Sequence, residues 1–133
     1  MRLKWSQELP DAYDAMLKIE NFVERGKLEP KLRELIKIRA SQINGCAHCL
    51  DMHTKDAIAI GEDPQRIYVL SAWREAPFYS QRERAALAWC EALTLLPMNG
   101  APDEVYAGLE SVFNKEEIVE LTMDVVVINS WNR

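Results

Sequence analysis

Residues 30–61 read PKLRELIKIRASQINGCAHCLDMHTKDAIAIG, and this stretch decides the fold. Pro30 suits the first position of a helix, where its missing N–H removes no hydrogen bond. Leu32, Leu35, Ile36, Ala40 and Ile43 then fall on one side of a 3.6-residue repeat. Asn44-Gly45 should end that helix, because glycine enters a left-handed turn without steric cost. A following helix is expected from about Cys46 to Ile60, with Gly61 as its stop. Its inward stripe would be Cys46, Leu50, His53, Ala57 and Ile60. Two amphipathic helices joined by so short a turn form an antiparallel hairpin.

The rest of the chain repeats the pattern. Pro10 to Val23 carries Tyr13, Met16, Leu17, Ile19, Phe22 and Val23 at near-helical spacing, with Gly26 as a stop. Asp63-Pro64 is an N-cap followed by proline, opening a helix through Ile67, Tyr68, Leu70 and Trp73 that Pro77 breaks. Ser80 and Glu83 form a capping-box pattern ahead of Ala85, Ala88, Trp89, Ala92 and Leu96, with Pro97 and Gly100 as stops. Another helix is expected over Pro102 to Val112. Asn114 and Glu117 cap a last one that turns Ile118, Leu121, Thr122 and Val125 inward. The β-branched run Val125 to Ile128 has strand propensity, but no partner strand exists, so it reads as helix. The expectation is one all-α domain spanning residues 1–133. Ile43-Asn44-Gly45-Cys46 and Ile128-Asn129-Ser130-Trp131 echo one another, too briefly to mark a repeat.

Composition narrows the function. In 133 residues, 21 acidic side chains outnumber 16 basic ones, for a net charge of −5. Without a basic cluster, neither nucleic acid nor an anionic membrane is an expected partner. The longest apolar runs fall far short of the ~20 residues of a bilayer span. Met1 to Pro10 has charges and no apolar core, so no leader is expected and the cytoplasm is the expected compartment. Few of the helices are long and each has a wide apolar side, which favours burial between subunits of a homo-oligomer.

Both histidines and two of the three cysteines fall within Cys46 to His53. On a helix, Cys46 and Cys49 are neighbours that can close a disulfide, and Cys49 and His53 stack four residues apart. A thiol in the first turn feels the positive end of the helix dipole, which favours thiolate. An imidazole one turn on can take the thiol proton. In the hairpin, position 34 lies opposite position 55, bringing Glu34 within about a turn of His53. The inferred chain is Glu34, His53, Cys49, with Cys46 as disulfide partner. The dipole favours Cys46 as the reactive thiol; hydrogen-bond reach to the histidine favours Cys49.

Each element has a plainer reading. A lone C-x-x-C is only moderately specific, His53 could be a core histidine, and Glu34 a surface charge. Cys90, beside Ala86 and Leu93, reads as a small core residue. Zinc could take Cys46, Cys49 and His53 with Glu34 or His48, but structural sites bring ligands as two separate pairs, and a second pair is missing. Covalent haem needs C-x-x-C-H, and Leu50 follows Cys49. Neither a Gly-rich phosphate loop nor G-x-S-x-G is present.

Glu34, eleven residues, Cys46-Ala47-His48-Cys49, three residues and His53 resemble the signature of the alkylhydroperoxidase AhpD-like family, within the carboxymuconolactone decarboxylase superfamily. Leu35 to Asn44, the tryptophan before Pro77, the helix Arg82 to Ala88, and Asn129 to Arg133 also read like its small single-domain members. The resemblance implies an AhpD-like helical bundle that assembles as a trimer or hexamer. It implies a cysteine-based peroxidase or thiol–disulfide oxidoreductase acting on alkyl hydroperoxides or hydrogen peroxide, with no haem, flavin or metal cofactor. By position, Cys49 resembles the peroxidatic cysteine, Cys46 the resolving cysteine and His53 the base, with Glu34 and His48 completing the proton relay. The electron donor would be a thiol, such as a lipoyl protein or a thioredoxin-like protein. The decarboxylase branch generally lacks both cysteines, which disfavours lactone decarboxylation. Family members usually continue beyond the Asn-Arg pair matched by Asn132-Arg133.

Overall fold

The computed structural model describes residues 3–133. Met1 and Arg2, where the segment read above as carrying no leader begins, lie outside the described residues. Those described form nine α-helices and one 3₁₀ turn, with no strand among them. In order these are α1 (Trp5–Glu8), α2 (Pro10–Glu24), α3 (Pro30–Asn44), α4 (Ala47–Ala59) and α5 (Pro64–Tyr68). The 3₁₀ turn Leu70–Ala72 follows, then α6 (Gln81–Thr94), α7 (Leu96–Asn99), α8 (Asp103–Glu110) and α9 (Lys115–Asn132). No helix of the described residues is long and apolar enough to cross a membrane.

Helix α3 is the centre of the bundle and packs against α4, α6 and α9. Leu35, Ile36, Ile38 and Ala40 are fully buried, and parts of its polar side (Arg33, Lys37 and Ser41) are buried too. A helix covered on several sides has lost the one-sided pattern of a surface helix. Each Leu or Ile so buried contributes roughly 1.5–3 kcal/mol. Leu87 and Cys90 of α6 and Leu121, Val125 and Ile128 of α9 complete this core. Val125 to Ile128 is helical as expected: Val125, Val127 and Ile128 are buried in the bundle, Val126 is exposed, and no strand among the described residues offers a ladder.

The caps form where the sequence puts them. Ser80 with Glu83, and Asn114 with Glu117, each make a reciprocal capping box, which satisfies backbone N–H groups left free at a helix start. The echoing segments meet in space: the Asn44 Nδ2 donates to Asn129 Oδ1 at 2.9 Å and to Asn132 Oδ1 at 2.8 Å. Asn132 Nδ2 donates to the Ser41 hydroxyl at 3.0 Å, so the C-terminal ends of α3 and α9 are pinned together.

Two local expectations are corrected. The helix expected from Pro64 to Trp73 is two pieces, with Val69 as a break between α5 and the 3₁₀ turn. There Arg66 is held by Glu62 and Glu83, and Tyr79 donates its hydroxyl to the Arg66 carbonyl, contacts that no local pattern announces. Pro97 does not stop a helix reaching Leu96: α6 ends at Thr94, and the proline sits in the first turn of α7, where its ring is tolerated. Helix α1, not anticipated, is held by aromatic packing of Trp5 on Tyr13 and Trp131.

Candidate functional site

The turn between α3 and α4 builds the first part of the site. Gly45 takes φ +68°, the left-handed conformation that closes a helix, and the Cys46 N–H returns to the Ser41 carbonyl at 3.1 Å. Cys46 is thereby the N-cap of α4, and its sulfur accepts from the Cys49 N–H at 3.3 Å. One turn of backbone brings the two Cα atoms to 5.4 Å, and Cys46 and Cys49 are joined as a disulfide. Cys49 is buried, whereas Cys46 is half-buried at the helix end.

Facing them, Glu34 of α3 meets His53 of α4, with Oε2 and Nδ1 3.0 Å apart. An ionised carboxylate only accepts, so Nδ1 carries the proton and Nε2 is left as the basic nitrogen. The other oxygen of Glu34 lies 3.9 Å from the ammonium of Lys37, itself 3% exposed. Lys37 also bonds Glu24 at 2.6 Å and Glu20 at 3.1 Å, and thus ties α2 to α3. Burial works against its charge, but the Glu24 hydrogen bond and the Glu20, Glu34 and Glu24 charges outweigh it and raise its pKa. Burial likewise works against Glu24, and the Lys37 bond overcomes it to hold that carboxyl below its ordinary range. Deeper, Asp124 of α9 is 1% exposed, with Oδ1 left without a hydrogen-bond partner among the described residues. Burial pushes its pKa up to about 7, against the pull of Lys37 and Arg33.

Glu34, His48, Cys49 and His53 all line one cavity of about 660 Å³, walled by Tyr13 and Leu17 of α2 and by Ile128 and Trp131 of α9. The structure therefore brings four of the five expected residues to one space. Cys46 does not line it, and His48 is exposed and makes no hydrogen bond among the described residues. The expected α4 stripe needs correction at Ile60, which is 43% exposed at the cavity edge, while Cys49, outside the stripe, is buried. Glu34, His53 and Asp56 have ligand atoms within 4.8 Å of one another and are the set that could hold a metal ion among the described residues. The ammonium of Lys37 already supplies a counter-charge to Glu34 there. The zinc set weighed from sequence is closed to metal while its two sulfurs are bonded to each other.

Sequence reading missed Lys37, Glu20, Glu24, Asp56 and Asp124. Two carried a signal. Lys37 lies between Ile36 and Ile38, and Asp124 is the lone charge within the apolar run Leu121 to Ile128. A charge among apolar residues on a buried helix must find a partner or change its protonation. The α2 carboxylates carried none, because which helix crosses above α3 is a tertiary fact.

Residues 7–92 match the carboxymuconolactone decarboxylase family. The chain is 44% identical over 132 residues to the uncharacterized protein YdfG of Bacillus subtilis (strain 168), covering 99% of this chain and 90% of YdfG. Among solved structures, an Agrobacterium tumefaciens protein of unknown function, ATU0492, proposed as an antioxidant defence protein AhpD, superposes with a TM-score of 0.96. It is 43% identical, covering 99% of this chain and 90% of its own. The debrominase Bmp8 shares the fold, with a TM-score of 0.86 and 21% identity over 96% of this chain and 68% of its own. The chain belongs to the carboxymuconolactone decarboxylase family as an AhpD-like member.

Proposed function

We propose that the protein is a cysteine-based peroxidase that reduces alkyl hydroperoxides or hydrogen peroxide through the Cys46–Cys49 pair. The supporting observation is the cavity that Cys49 shares with His53, whose Nδ1 is bonded to Glu34. In the reduced protein, Nε2 of His53 takes the Cys49 thiol proton. The thiolate attacks one peroxide oxygen, the O–O bond breaks, and the alcohol leaves with a proton, giving the Cys49 sulfenic acid. The Cys46 thiol then displaces water and the disulfide forms. Two thiols and one hydroperoxide thus yield a disulfide, an alcohol and water. An external dithiol restores the pair by attacking the half-buried Cys46 sulfur, and is itself oxidised to a disulfide. His48, at the cavity mouth, takes part in proton exchange with solvent.

The test is stopped-flow tryptophan fluorescence of the reduced protein mixed with tert-butyl hydroperoxide, with thiols counted before and after. Trp131 lines the cavity and serves as reporter. A fast change that consumes two thiols, disappears in Cys49→Ser and slows at least tenfold in His53→Ala is expected. Thiols that ignore peroxide but exchange with lipoamide would replace the peroxidase reading with a disulfide reductase. Thiols inert to both would end the redox proposal.

A further inference from the structure

We infer that the cavity over Cys49 selects apolar hydroperoxides without negative charge and turns away carboxylated ones. This rests on the peroxidase reading above and names the substrate class of the same site. A cavity of about 660 Å³ is far larger than hydrogen peroxide requires and falls in the range of small-molecule pockets. Leu17, Met52, Ile60 and Ile128 line it, as do the rings of Tyr13 and Trp131. Trp131 adds no free donor, for its Nε1–H is given to Glu20 Oε2 at 2.7 Å. The lining thus suits a hydrocarbon body that places its peroxide group at Cys49.

Charge gives the selection its sign. Four carboxylates line the cavity (Glu20, Glu24, Glu34, Asp56) against two cations, Arg33 and Lys37, so acidic side chains outnumber basic ones by two. The two cations are already partly engaged, and together they do not cancel the four carboxylates. Lys37 is surrounded by Glu20, Glu24 and Glu34. The Arg33 Nη1 donates to the Val23 carbonyl, and its charge is felt by Glu24 and Asp124. Asp56, exposed at the rim, makes no ion pair among the described residues. An anion entering here meets uncompensated like charge in a space partly shielded from water, where such repulsion is strong.

The experiment compares cumene hydroperoxide with its para-carboxylate, each rate divided by that of the same peroxide with free dithiothreitol. Loss of the two thiols of the reduced protein is followed at low ionic strength and pH 7.5. The carboxylate is expected to react at least tenfold more slowly. The gap should narrow at 0.5 M salt, which screens charge beyond a few ångströms, and about threefold in Asp56→Asn. Equal rates, or a faster carboxylate, would overturn the inference and leave the peroxidase reading standing. A gap unmoved by salt and by Asp56→Asn would overturn its electrostatic basis. If cumene hydroperoxide itself leaves both thiols intact, the peroxidase reading fails and the inference with it.

Discussion

Replacing Asp124 with asparagine should stabilise the protein at pH 8 and leave it almost unchanged at pH 4. Asp124 is 1% exposed, its Oδ1 has no partner among the described residues, and burial raises its pKa from 3.8 to about 7. The folded state therefore prefers the protonated acid. Stability from this group is fully present below pH 3.8, the unfolded value, and is lost as pH rises toward 7. At roughly 1.4 kcal/mol per pH unit, that gap is worth about 4 kcal/mol. Asparagine keeps the shape and carries no charge at any pH. The variant should match the parent at pH 4 and exceed it by about 3–4 kcal/mol at pH 8, with most of the divergence between pH 5 and 7. Urea unfolding at 25 °C at each pH, with the disulfide intact, measures it, and other titrating groups cancel in the difference. A pH-independent difference, or an asparagine variant less stable at pH 8, would refute the reasoning. Asp124 would then be an ionised partner of Lys37 and Arg33.

Lys37→Met should cost about 2–3 kcal/mol at pH 7, below the 3–5 expected for a fully buried pair because water reaches Glu24. The lowered pKa of Glu24 means that this contribution is present above pH 4.5 and fades as pH falls, so unfolding at pH 4 should show a smaller deficit. Gly45→Ala places a side chain at φ +68° with nothing within 4 Å to clash, so only backbone strain is added. About 1–2 kcal/mol should be lost, read as a lower thermal midpoint, with no change in core packing by near-ultraviolet circular dichroism. Cys90 is fully buried and its thiol is pushed up to about 12, so a thiol reagent should count two cysteines in the folded, reduced protein and three after denaturation.

Much of the site was legible in the chain. Helical periodicity located α3 and α4, and Asn44-Gly45 placed the turn between them. Counting back from that turn paired Glu34 with His53, a contact of 3.0 Å. Such a contact is local in all but name, because a tight hairpin leaves only one register. Capping residues marked the starts of α5, α6 and α9 for a similar reason, since a cap is a bond between residues two or three apart. The break at Val69 and the turn opened by Pro97 escaped, as both depend on what packs against them.

The sequence by itself determined most of the helices, the turn between α3 and α4, the neighbouring cysteines and the Glu34–His53 pair. All of these follow from interactions within a turn or across one hairpin. Only the tertiary structure decided which groups surround them. It laid the carboxylates of α2 over Lys37, buried Asp124 beneath, and set Cys49 rather than Cys46 on the cavity wall. Burial and pairing between distant helices depend on how apolar faces stack in three dimensions, and the spacing of residues along one helix does not record its neighbour.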